Sequence, residues 1–284
     1  MVNVKMVNKS VLCILYSVLL LTGCKNDNYL GGHFTEDYGG VQMELSSVIA
    51  STLNPSLKWQ AGDTIALTTS YTDNTSLNRF YVCGADGQTF TALSGLPIYI
   101  KGTGMLNAYA PVSGKDGEET VIAVNTLDQT VLVDYLTAQT AISTASRELT
   151  LSFNHALAQL QISFDITEGE TVKKLQMQGL CHQAVLDLYT SAWSTSEVTE
   201  EYALAAEVIS SLTLNLLPQK ATEVTFVLTT DKREYTIPVE ALTLTAGQAL
   251  RITLHADADG SSVAYTEETT DWQDSGMGTN IESE

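Results

Sequence analysis

Of the four cysteines in this 284-residue chain, one sits in a setting that prescribes a reaction: Cys24 closes the sequence Leu21-Thr22-Gly23-Cys24. Upstream stand Lys5, Lys9 and an apolar run from Val11 to Leu21. A basic start, a short apolar stretch and small residues just before a cysteine make a secretory signal that ends in a lipobox. The expected chemistry is a thioether between the Cys24 thiol and diacylglycerol, cleavage before Cys24, and acylation of the new amino group, with palmitate as the acyl type. A run of about eleven residues is too short to cross a hydrocarbon core, which requires roughly twenty. Residues 1–23 are therefore read as a cleaved signal, and the mature protein as held to a membrane by lipid on Cys24. Several chains at about 0.8 kcal/mol per buried methylene hold far better than one.

The remaining chemistry is thin. Cys13 leaves with the signal, so only Cys83 and Cys181 are left. They are either a long-range disulfide or two small core residues, and with no Cys-x-x-Cys there is no zinc ribbon or dithiol redox motif. His33, His155, His182 and His255 form no His-x-x-x-His or His-x-His pair, so a histidine metal site is not expected. Asp257-Ala258-Asp259-Gly260-Ser261, with Glu268 downstream, has the acidity of a calcium loop. It puts Ser262 where an EF-hand needs glycine, and it sits between strands instead of helices. A hairpin turn is the better reading. No Gly-x-Ser-x-Gly elbow occurs. A glycosidase needs two facing carboxylates, and 33 acidic residues supply pairs indiscriminately. Asp63 reads as a turn residue capping backbone N–H groups, and His155 as a half-buried histidine interrupting an apolar face. No catalytic residue, metal or cofactor is assigned.

Charge narrows the partners. The chain carries a formal −19, and loss of Lys5 and Lys9 takes the mature chain to about −21. Such a surface repels phosphate backbones, so nucleic acid is excluded as a partner. Trp59, Trp193 and Trp272 are isolated and the twelve tyrosines scattered, which fits core packing better than a sugar platform.

The elements that would position any site are strands. Lys25 to Gly40 is polar and glycine-rich, a tether. Beyond it apolar residues alternate: Leu149, Leu151, Phe153; Leu160, Ile162, Phe164, Ile166; Leu212, Leu214, Leu216; Val224, Phe226, Leu228; Tyr235, Ile237, Val239; Leu250, Ile252, Leu254. Period two puts each set on one face of a strand. Turn chemistry separates the runs at Asp86-Gly87, Lys115-Asp116-Gly117, Asp231-Lys232 and Asp259-Gly260. The best helical candidates are Asp134 to Thr144 and Glu197 to Ile209. Regular strands without alternating helices predict β-sandwiches. A Ser/Thr/Ala-rich connection from Thr137 to Ser146 divides two similar halves, giving domains at 41–146 and 147–272 behind a tether at 24–40, with an acidic tail at 273–284. The stretch from Thr266 onward is either disordered or an edge strand awaiting a partner.

An ordered set of motifs runs through both halves: Trp59-x-x-Gly62-Asp63-x-Ile65, Ala108-Tyr109-x-Pro111, Asp134-Tyr135-Leu136-x-Ala138, Leu151-x-Phe153-x-His155-Ala156-Leu157-Ala158-Gln159-Leu160, Leu216-Leu217-Pro218-Gln219, Leu244-x-Ala246-Gly247-Gln248 and Trp272. From about Val41 to Trp272 this resembles the fimbrillin-like proteins of Bacteroidales. The resemblance implies an all-β chain of two transthyretin-like, Greek-key β-sandwich domains in tandem. It further implies a non-enzymatic, structural or adhesive subunit of fimbriae on the outer membrane. Partners would be other fimbrial subunits joined by strand donation, the outer membrane through the Cys24 lipid, and a host or bacterial surface ligand.

In stalk subunits of that family, cleavage after a basic residue removes the lipidated first strand and opens a groove. Here no lysine or arginine lies between Lys25 and Lys58, and the first mature arginine is Arg79. An arginine-specific cut could not release just Val41 to Ile49. The expectation is an anchor or accessory subunit that keeps its lipid and its first strand. A surface glycan-binding lipoprotein is the alternative, and a hydrolase a distant third.

Overall fold

The computed structural model describes residues 41–42, 44–49, 58–71, 78–129, 134–257 and 263–272. The signal, Cys24, His33, the tether and the tail beyond Trp272 lie outside the described residues. The first half supplies β1 (Val41–Gln42), β2 (Glu44–Ile49), β3 (Thr64–Tyr71), β4 (Arg79–Cys83) and β5 (Thr89–Ala92). It continues with β6 (Tyr99–Ile100), β7 (Gly104–Ala110), β8 (Val121–Asn125), β9 (Leu136–Ile142) and β10 (Glu148–His155). Then follow β11 (Ala158–Ile166), β12 (Val172–Leu180), β13 (Gln183–Asp187), β14 (Trp193–Thr195) and β15 (Glu200–Ala205). The last five are β16 (Ser211–Leu216), β17 (Gln219–Thr230), β18 (Glu234–Leu244), β19 (Gln248–Ala256) and β20 (Val263–Asp271).

The fold is all-β, and every alternating set in the sequence lies on a strand. In the first half the sheet closes into a barrel, β10-β2-β5-β4-β3-β7-β9, around Ile65, Leu67, Leu106, Leu151 and Phe153. The second half is a sandwich of two four-stranded sheets, β16-β11-β19-β20 and β15-β12-β17-β18. Its core is packed from Leu160, Leu175, Leu214, Phe226, Ile237 and Ile252, all essentially inaccessible to solvent. Removing such side chains from water contributes about 1.5–3 kcal/mol each.

Two expectations are corrected. Asp134 to Thr144 and Glu197 to Ile209 hold β9 and β15, not helices. Leu136, Ala138 and Ile142 face the barrel core, while β9 pairs with β7 along seven positions. That ladder and burial outweigh the helix preference of an Ala-containing segment, since propensity is a weak prior. Tyr202 does the same for β15, burying its ring in the sandwich core. The pairing also carries the barrel past Ser146: β10 hydrogen-bonds to β2 and β9, so the change from barrel to sandwich falls between His155 and Ala158.

The halves are stitched together. β8, from the first half, pairs with β13 of the second, and β14 completes this three-stranded sheet. Beneath it Phe80, Ile122, Leu157, Leu186, Leu217 and Trp272 form a third apolar cluster.

Turn chemistry acts as the sequence implies. Asp63 Oδ2 accepts the Gln60 N–H at 2.7 Å beside Gly62, whose φ is +96°. Asp86 accepts from the Thr89 hydroxyl and from the Thr89 and Gln88 amides, which together pull its carboxyl down to about 2. In the sandwich, Glu223 takes φ +64° and the alternation slips by one, so that Ala221 and Val224 both point inward. Gly179, φ +92°, lies against this bulge, and a Cβ there would meet the Glu223 carbonyl oxygen at 2.8 Å. Gly179→Ala should therefore lower the unfolding free energy by about 2 kcal/mol or more, from strain plus collision. Gly62→Ala, strained but facing open space, should cost only the strain, about 1 kcal/mol. Urea titrations of the two variants check the order.

Candidate functional site

The two ends of the described chain and the strands that receive them make the candidate site. At the N-terminal end, β2 runs parallel to β10 over six positions, Glu44 opposite Glu148 through Ile49 opposite Phe153. The Glu44 N–H donates to the Arg147 carbonyl at 2.6 Å, and Ser46 bridges to the Leu149 carbonyl at 3.3 Å and the Thr150 hydroxyl at 2.9 Å. Leu45 is buried in the barrel core. On its other side β2 meets β5 at only two positions, Leu45 with Phe90 and Ser46 with Thr89, before β1 departs to pair with β6. The divergence leaves a groove of about 360 Å³, lined by Leu45, Tyr81, Phe90, Ala92, Gly95 and Pro97. Leu93 and Leu96 are exposed in the loop between β5 and β6. The Tyr81 hydroxyl accepts the Ile98 N–H at 2.7 Å, and burial pushes its ionisation up to about 12, so it stays a neutral wall.

At the C-terminal end, β20 lies antiparallel on β19 from Val263 opposite Ala256 to Asp271 opposite Gln248. The stretch from Thr266 to Asp271 is thus an edge strand in its own sheet. Trp272, next along the chain, turns into the cluster between the halves and stacks on His155, ring centroids 4.4 Å apart and planes within 13°. His155 Nδ1 is 2.6 Å from Asp134 Oδ2. His155, expected half-buried, is buried, and its partner across the junction was not readable from spacing.

The other singled-out residues scatter. Cys83 is buried on β4 and Cys181 half-buried after β12; both are free thiols, which settles the disulfide alternative, and burial pushes the Cys83 thiol up. His255 Nδ1 pairs with Asp165 at 2.9 Å on the sandwich surface. His182 is fully buried between the halves, with Nδ1 3.2 Å from the Thr126 hydroxyl. Trp59 packs edge-on against Phe90 and Phe153, and Trp193 edge-on against Tyr135. Among the described residues no three metal-ligating side chains come together. The residues that sequence reasoning missed are Asp134 and His182. The Asp134-Tyr135 motif marked the place of the first, and nothing in the local pattern marked the second.

His182 gives the junction a pH dependence. Burial holds its ring below the ordinary value of 6.5, and Nε2 has no hydrogen-bond partner among the described residues. The unfolded chain takes up this proton first as pH falls, so stability present above about pH 6.5 is lost as pH drops through the folded value. Urea midpoints should fall between about pH 7 and about pH 5, and His182→Leu should flatten that slope.

A family model described as fimbrillin-like matches residues 50–272. Among solved structures, the chain resembles a candidate cell adhesion protein from Bacteroides ovatus, with TM-score 0.63 and 20% identity, covering 82% of this chain and 98% of that one. A candidate cell adhesion protein from Bacteroides uniformis gives TM-score 0.62 and 20% identity, covering 83% and 99%. One from Parabacteroides distasonis gives 0.52 and 10%, covering 82% and 97%. At these identities the likeness speaks for the fold. No curated protein sequence matches the chain.

Proposed function

The chain belongs to the fimbrillin-like family, and from that premise we propose that it is a structural and adhesive subunit of outer-membrane fimbriae, an anchor or accessory subunit that keeps its lipid and its first strand. The observation that carries this reading is the β2–β10 ladder with Leu45 buried beneath it. The strand whose removal would open the barrel is in place, and the sequence before Lys58 offers no basic residue at which to cut it away after Lys25. With β2 seated, the edge of β10 from Glu148 to Phe153 that a donated strand would use is already paired, and β9 holds the other side at Asn154 and His155. A subunit so closed ends a chain of strand donations at its own barrel, the geometry of an anchor.

In this reading Cys24 carries the acyl chains and holds the protein to the surface of the outer membrane. Neighbouring fimbrial subunits are the partners, with a surface ligand on the host or on other bacteria, and no reaction is catalysed. The glycan-binding alternative wants a tryptophan face open to solvent. Trp59 and Trp272 are buried and Trp193 is half-buried against Tyr135, so no observation favours it.

Mass spectrometry of the protein recovered from assembled fimbriae is the test. The expected mature N-terminus is an acylated Cys24, and Cys24→Ala should release the protein from membranes. A mature N-terminus between Gly40 and Lys58 would overturn the anchor reading.

A further inference from the structure

Large apolar side chains open to solvent are few among the described residues, and the two leucines among them, Leu93 at 54% and Leu96 at 46%, share the loop between β5 and β6. This loop is braced by its backbone. The Leu93 N–H donates to the Phe80 carbonyl at 2.9 Å, the Gly95 N–H to the Ala92 carbonyl at 3.1 Å, and the Ile98 N–H to the Tyr81 hydroxyl at 2.7 Å. Gly95, φ +72°, makes the turn, while Phe90 before it and Ile98 after it are buried in the barrel core. Both leucines are therefore held outward in advance, so little ordering is left to be done when a partner meets them. Between Asp86 and Lys101 the chain carries no charged residue, in a molecule whose formal charge is −19.

What this turn faces follows from where the chain enters the fold. β1, at the start of the described chain, pairs with β6 directly after the loop, Val41 opposite Ile100 and Gln42 opposite Tyr99. Gln42, Gly95 and Pro97 line one groove. Cys24 stands about seventeen positions before Val41, and a coil of that length spans about 20–25 Å end to end. We propose that the turn carrying Leu93 and Leu96 is a membrane-seating loop, which presses both leucines into the lipid surface that holds Cys24. The inference rests on the reading that Cys24 is acylated, and it names the face of the barrel that then meets the bilayer. Two leucines alone hold a membrane weakly. On an anchored chain the same contact is intramolecular, at an effective concentration in the millimolar range for a short linker, and an acyl anchor gains from a second signal beside it. Charge favours this face over others. Anionic headgroups repel a strongly acidic surface, and the uncharged stretch from Gly87 to Ile100 is where approach is least opposed. The acids on the adjoining strands and turns are Glu44, at the groove, and Asp86, before β5, so the seating is shallow, through the leucine tips.

The test places the chain from Lys25 onward, with a hexahistidine tag in place of Cys24, on phosphatidylcholine vesicles that carry a nickel-chelating lipid. An environment-sensitive nitrobenzoxadiazole dye is attached through Ser94→Cys, between the two leucines, in a Cys181→Ser background; the same chain without Ser94→Cys controls for Cys83. A dye attached instead through Thr236→Cys, on the outward face of β18, reports a surface that should stay wet. On vesicles the Ser94 dye should shift to the blue and be quenched by nitroxide-labelled lipid, and the Thr236 dye should do neither. Leu93→Ser with Leu96→Ser should cut the quenching at position 94 roughly fivefold, because the burial that holds the turn down is gone. Its urea midpoint should match the parent's, since both side chains are already in solvent off the membrane. A Ser94 dye that stays wet on vesicles overturns the proposal, as does quenching that survives the double serine variant. A blue shift that appears without vesicles and grows with protein concentration overturns lipid as the occupant in favour of a second copy. The tag attaches the chain whether or not Cys24 is acylated in the cell, so the two failures are told apart: native protein that stays on membranes after Cys24→Ala overturns the acylation reading, whereas a wet Ser94 dye on vesicles overturns the seating of the loop alone.

Discussion

Six backbone positions of β2, laid parallel to a strand about a hundred residues later, hold the first half of this molecule closed. Without them β10 would present a bare edge and the barrel would be an open sheet with Leu45 missing from its floor. Parallel pairing is the slightly weaker form of ladder per residue and requires a long connection. Closing so long a loop must be completed before the contact is rewarded, which makes it a late event in folding. The sandwich repeats the device: its first strand, β11, runs parallel to β19 over eight positions. In both halves the opening strand is locked by one that arrives near the end of the same half.

The two halves do not behave as beads on a string. β8 leaves the barrel segment to pair with β13, the Asn107 amide donates to the Tyr189 carbonyl in the loop after it, and Gln139 donates to Asn107 at 2.7 Å. The polar network and the apolar cluster around Ile122, Leu157 and Trp272 share one junction. Buried polar groups of this kind are costly when unpaired. Their presence fixes the angle between the halves more narrowly than apolar contact alone would, and it makes His182, sealed in the same junction, sensitive to protonation.

Strand identity was legible wherever side chains obey period two, because one face of each such strand is buried and the other wet. β18 is the clear case, with Tyr235, Ile237 and Val239 inward and Glu234, Thr236 and Glu240 outward. Legibility failed where burial is set by a partner instead of a pattern. β9 reads Leu-Thr-Ala-Gln-Thr-Ala-Ile, with small residues that fit either a helix or a strand, and only its seven-position pairing with β7 decides. Turn residues were readable one by one, since Asp63 and Asp86 act within a few residues of themselves. His155 was readable as half-buried, but not as the seat of Trp272, because a contact across more than a hundred residues leaves no local period. Likewise β10 follows the apparent linker yet belongs to the barrel, a fact written in register and not in composition.

Net charge then decides what kind of force can join such molecules. A chain with a formal charge of −19 repels its own copies, over a screening distance of about 8 Å at physiological ionic strength. Surface ion pairs contribute little against that, typically about 0–1 kcal/mol each. Backbone ladders carry no net charge, form at contact distance and gain from every position added. Two strands near the ends of the described chain, β2 and β20, are held differently. β2 sinks Leu45 into a core and is flanked on both sides, whereas β20 has one neighbour and a single buried indole beyond it. The first half is thus closed by a strand paired on two sides, and the described chain ends on an edge strand paired on one.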